Sequence, residues 1–124
     1  MSRLIILFLF SALAFAVTHL IATAGSLYGY HWWFDIFMHS WGGLLLGLGV
    51  HALCRLESVP FQPTLPVVLV TLAAATISWE LFERFTGLYN PIQYILDTTL
   101  DVLLGFGGGL LAHFTLSHLY NRKI

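Results

Sequence analysis

The sequence predicts an all-α membrane protein, a bundle of four transmembrane helices, and three observations point there. Of its 124 residues, 58% are hydrophobic and only 9% are charged, whereas soluble domains carry roughly a quarter charged residues. The mean hydropathy is +0.84. The apolar residues also fall into four long runs, and a membrane span needs ~20 of them in a row. Residues 1–124 are therefore expected to form one four-span domain. A net charge of −1 offers no basic footprint for nucleic acid. The single Cys54 has no partner for an intrachain disulfide.

The first span is expected from Leu4 to Ala24, following Arg3 and free of formal charge. Ala22-Thr23-Ala24 before Gly25 resembles a small-residue cleavage site. The run is nevertheless long enough to span, and it is read as a retained first helix with His19 near its far end. Gly25 to Phe34, rich in Gly, Tyr and Trp, suits a membrane–water interface. The second span, Asp35 to Cys54, opens with Asp35 and His39 one turn apart. It continues through Gly42, Gly43, Gly47 and Gly49, small residues of the kind that mark a helix–helix contact.

Arg55 to Pro66 is a loop with three prolines. The third span, Val67 to Phe85, is uncharged in its first half and carries Trp79, Glu80, Glu83 and Arg84 in its second. Thr86 to Gln93 reads as a turn and short re-entry. The fourth span, Tyr94 to Leu119, begins with Asp97 and Asp101 on one helical face, and Gly105 and Gly109 continue that stripe. Spans two and four both start with an acid and run into glycines, an echo too short to define a repeat.

Arg3, Arg55, Arg122 and Lys123 fall on one side of a four-span chain, which the positive-inside rule makes cytoplasmic. Both termini are then expected in the cytoplasm. On that topology His19, Asp35, His39, Glu80, Glu83, Arg84, Asp97 and Asp101 all arrive in the outer third of the bundle. Only His51, His113 and His118 belong to the inner half, where they read as helix-end residues near lipid phosphates. Ionisable groups inside a span mark a functional site by default because burying them is costly. A bound cation, shared protons or a water-filled cleft would each meet that cost.

The candidate catalytic residues are Asp35, His39, Glu80, Glu83, Asp97 and Asp101. An acid and an imidazole one turn apart suit a base with a fixed tautomer. Carboxylates with imidazole also suit divalent ions, so His39, Glu80 and Asp101 are candidate ligands of a possible divalent cation. Arg84 is placed to hold phosphate, with Trp79, Tyr94 and His19 lining the substrate side. There is no HExxH pair, no serine-nucleophile motif and no phosphate-cradling glycine loop.

Two stretches then carry a likeness. Asp35-x-x-x-His39 followed by Gly42-Gly43 resembles the opening of a span in VanZ-like membrane proteins. Asp97-x-x-x-Asp101-x-x-x-Gly105 resembles their later Asp-x-x-x-Asn-x-x-x-Gly pattern, with Asp101 standing where that pattern has Asn. Trp79-Glu80-x-x-Glu83 falls between them where an acidic helix is expected, and the three motifs in combination are similar to the YjdF-type relatives of that group. The resemblance implies a compact four-helix domain in the bacterial inner membrane, acting on a lipid headgroup or a lipid-linked envelope precursor, with an anionic or polyprenyl lipid as substrate. Two alternatives are a cation or proton translocator and a non-catalytic membrane subunit.

Overall fold

The computed structural model describes residues 2–87 and 92–120, with the side chain of Tyr94 outside the described residues. Five helices follow in order: α1 (Arg3–Ala24), α2 (Leu27–Tyr30), α3 (Trp32–Leu53), α4 (Leu65–Thr86) and α5 (Tyr94–Leu119). No strand occurs among the described residues. The fold is the all-helical bundle expected, and α1, α3, α4 and α5 are each long and apolar enough to cross a membrane. The bounds differ modestly from the sequence reading. The second span starts earlier, at Trp32, the third starts at Leu65, and the interfacial connection contains the one-turn helix α2. The turn expected over Thr86 to Gln93 lies partly outside the described residues.

Local chemistry sets the helix ends. The Ser2 hydroxyl accepts from the Ile5 amide at the start of α1, satisfying one of the donors a helix start leaves open. Pro66 lies in the first turn of α4, where its missing N–H costs nothing. At the other end of α4, Gly87 adopts φ 75° and returns its N–H to the Glu83 carbonyl. That left-handed cap, favoured by glycine, stops the helix at Thr86, one turn past Glu83.

The centre of the bundle is the pair α3 and α5. Helix α1 packs on α3, while α4 lies against both α3 and α5. The two central helices run parallel, and glycine is what brings them together. A Cβ on Gly43 would fall on the Gly105 carbonyl, and one on Gly108 would run into the backbone of Ser40 and Leu44. A Cβ on Gly47 would meet the Gly109 carbonyl oxygen at 2.6 Å. In lipid, where apolar burial drives helices together only weakly, such close backbone contact supplies the packing.

The echo between spans two and four is in register in three dimensions. His39 faces Asp101, Gly43 faces Gly105, Gly47 faces Gly109 and His51 faces His113, each pair 62 residues apart. Both helices thus turn the same four-residue stripe toward the seam. Two apolar clusters flank it. Ala22, Phe34 and Met38 are buried at the end where α1 meets α2 and α3, and Val50, Val68 and Leu72 are buried toward the opposite end. The seam therefore fixes the rotation of α3 and α5, and with it the direction in which their polar residues point.

Candidate metal centre at one end of the bundle

One turn before the Gly43–Gly105 contact, the same stripe carries His39 on α3 and Asp101 on α5. Their approach follows from the glycines, because only closely packed helices bring an imidazole and an aspartate into contact across the seam. His39 Nε2 lies 3.2 Å from Asp101 Oδ1 and 3.3 Å from Asp35 Oδ1. Asp35 sits one turn earlier on α3. The three side chains form a gradient of exposure: Asp35 46%, His39 19%, Asp101 10%. The cluster is therefore open at Asp35 and closed at Asp101.

Helix α4 adds a second set of oxygens. Glu80, Glu83 and Asp101 each offer a carboxylate oxygen, all within 4.8 Å of one another. The atoms of Asp35, His39 and Asp101 satisfy the same limit, so Asp101 belongs to both groups. Glu80 Oε2 accepts a hydrogen bond from the Thr98 hydroxyl at 3.1 Å. Its Oε1 is buried without a hydrogen-bond partner among the described residues. Glu83 Oε1 accepts from Trp79 Nε1 at 2.8 Å.

An aromatic wall closes the α1 side. Trp79 meets the His19 ring edge-on at 6.1 Å between centroids, and His19 Nδ1 is 2.8 Å from the Tyr28 hydroxyl. Burial pushes the Tyr28 phenol up to about 12, with the nearby charges of Asp35 and Glu83 adding to the shift. Both effects disfavour the phenolate, so Tyr28 remains a neutral hydroxyl throughout the ordinary pH range.

The structure thus brings together Asp35, His39, Glu80, Glu83 and Asp101 from three helices, with Trp79 and His19 against them. Asp97 lies one turn before Asp101 on α5 and belongs to neither group of ligand atoms. Arg84 is exposed in the last turn of α4, and the Tyr94 side chain lies outside the described residues. Tyr28 and Thr98 take part although no sequence pattern singles them out. Tyr28 is one of five tyrosines in a chain whose aromatics read as interface anchors, and Thr98 has no motif around it. His51 and His113 also differ from expectation: both are fully buried across the seam rather than set among phosphates at helix ends.

The spacing suits a metal ion. Ligand atoms around a cation held at about 2.1 Å stand roughly 3.0–3.4 Å apart in octahedral or tetrahedral arrangement. The two His39 contacts fall within that range. One imidazole N–H can serve only one of the two carboxylates well, whereas a cation accepts all three side chains together. Carboxylates with one imidazole select Mn²⁺ or Zn²⁺ over Cu⁺.

No family model, curated protein or solved structure matches this chain.

Proposed function

We propose that the protein is a cation-dependent membrane enzyme that hydrolyses or transfers a phosphate-linked lipid headgroup, and that it is a VanZ-like protein of the YjdF type. The observation that supports this reading is the junction at Asp101. Two groups of ligand atoms share one deep carboxylate at an end of the bundle that is open through Asp35. Near the ends of the spans, the cluster would come within reach of a headgroup phosphate. The positive-inside pattern of Arg3, Arg55, Arg122 and Lys123 turns this end outward from a bacterial inner membrane, toward envelope precursors.

In this reading Asp35, His39 and Asp101 would hold a divalent cation, with Glu80 beside Asp101 as a further carboxylate, and the cation would supply Lewis-acid stabilisation of the phosphate charge. With His39 engaged on the cation, the Glu83 carboxylate takes a proton from water. The water oxygen then bonds to phosphorus as the bond to the leaving alcohol breaks, and the alcohol recovers the proton from Glu83. Arg84, at the rim, pairs with the remaining phosphate charge. Tyr28 and Trp79 flank the cluster and position His19 and Glu83 through their hydrogen bonds.

A translocator is supported less well. It needs a polar route through the seam, and between His39 and His51 that seam consists of glycine backbone with Leu72 packed on Gly109. The test is headgroup release from labelled phospholipid in proteoliposomes supplied with Mn²⁺. Wild-type protein is expected to turn over, and His39→Ala to lose about 100-fold or more, since even a residue behind a metal ligand is worth about 10- to 100-fold. Equal release by both proteins, or none by wild type, would reject the enzyme reading.

A further inference from the structure

The opposite end of the α3–α5 seam carries a second polar group with no part in that chemistry. His51 and His113 are both 0% exposed, with His51 Nε2 2.9 Å from His113 Nδ1. Three buried polar atoms nearby lack a hydrogen-bond partner among the described residues: His113 Nε2, Ser117 Oγ and Arg55 Nε. Ser117, only 2% exposed, follows His113 by one turn of α5 and so lies on the same face. The Arg55 guanidinium stands 4.4 Å over the Tyr120 ring, which holds it against the end of α5 three residues beyond Ser117.

Native proteins rarely leave buried polar atoms unpaired, so each such atom calls for a partner such as a water or an ion. The chemistry of these three agrees. Arg55 Nε–H can only donate and carries a permanent charge. The Ser117 hydroxyl can donate. His113 Nε2 donates in the tautomer whose Nδ1 accepts from His51. Among the described residues, the acid nearest Arg55 in sequence is Glu57, exposed in the loop. Three donors and a fixed cation, with that acid turned to the surface, complement an oxyanion.

We propose that Arg55, His113 and Ser117 form a binding site for a phosphate group at the end of the bundle where α1 begins and α5 ends. The phosphate belongs either to a lipid headgroup in that leaflet or to a free inorganic anion. This site is separate from the acidic cluster, and its occupancy is read without any turnover.

The experiment uses the full chain purified in a phosphate-free maltoside detergent. Inorganic phosphate is expected to raise Tm saturably, as any ligand of the folded state does, while chloride at equal ionic strength does not. In a second arm, native mass spectrometry of protein taken from mixed phosphatidylglycerol and phosphatidylcholine vesicles detects a retained lipid. Stabilisation by free phosphate identifies an inorganic anion, and retention of one phosphatidylglycerol without it identifies a headgroup. Arg55→Gln and Ser117→Ala should each weaken binding by about tenfold or more. Ser117→Ala removes only a hydroxyl and decides the matter if the arginine variant fails to fold. Neither ligand binding, or binding unchanged in the serine variant, would overturn the proposal and leave the three atoms to buried water.

Discussion

Asp101→Asn is expected to lower divalent-cation affinity by about 100-fold or more, near 2.7 kcal/mol, while leaving the apo protein at least as stable as wild type. Both halves of that expectation come from one position. Asp101 is the carboxylate common to both groups of ligand atoms and the least exposed member of the trio it forms with Asp35 and His39. Removing its charge takes a ligand from every arrangement the cluster can offer. Without a cation, however, Asp101 crowds Asp35, Glu80 and Glu83, and like charges at close range destabilise one another. Neutralising it relieves that repulsion at the expense of function, as is common for functional sites. Asp35→Asn should cost less, about tenfold, because Asp35 is half in solvent and belongs to one group only. Titration of purified protein with Mn²⁺, with Tm recorded in a chelator, checks both halves. A drop in apo stability with no change in affinity would make Asp101 a structural residue.

The largest effect on stability is expected from a single methyl group. In Gly43→Ala the added Cβ falls on the backbone carbonyl of Gly105, and no rotamer change can remove that overlap. The seam must open, at a cost of about 3 kcal/mol by analogy with overpacked cores. Opening it also separates His39 from Asp101, so cation binding should fall together with stability. Gly107→Ala is the control, because a Cβ there meets nothing within 4 Å and alanine favours the helix by about 1 kcal/mol. Denaturation in mixed micelles should separate the two variants clearly. Similar stability for both would show that the α3–α5 contact is looser than its geometry requires.

Much of this architecture is legible in the amino-acid sequence. Four apolar runs on a short chain leave few alternatives to a four-helix bundle, and the acids sit at those span ends that an alternating topology brings to one side. Rotation about each helix axis is not legible in the same way. Asp97 and Asp101 share a helical face, yet only Asp101 joins the ligand atoms, because it lies one turn deeper and directly opposite His39. That pairing depends on the seam register, which the closest glycine contacts set.

The buried His51–His113 pair escapes a sequence reading for the same reason. Each histidine taken alone looks like a polar residue near a helix end. Taken together they extend the rhythm 35, 39, 43, 47, 51 against 97, 101, 105, 109, 113, and that rhythm is the signal the sequence offers. Tyr28 and Thr98 offer none, since their roles arise from side-chain contacts between separate helices.

At the centre of the proposed function, an imidazole and carboxylates from different helices hold one cation. Pulsed electron paramagnetic resonance of Mn²⁺ bound to the reconstituted protein tests this directly. The expected result is ¹⁴N modulation from a directly coordinated imidazole, abolished in His39→Gln, with the bound Mn²⁺ signal itself lost in Asp101→Asn. Bound Mn²⁺ without nitrogen coupling, or with coupling that survives His39→Gln, would contradict it.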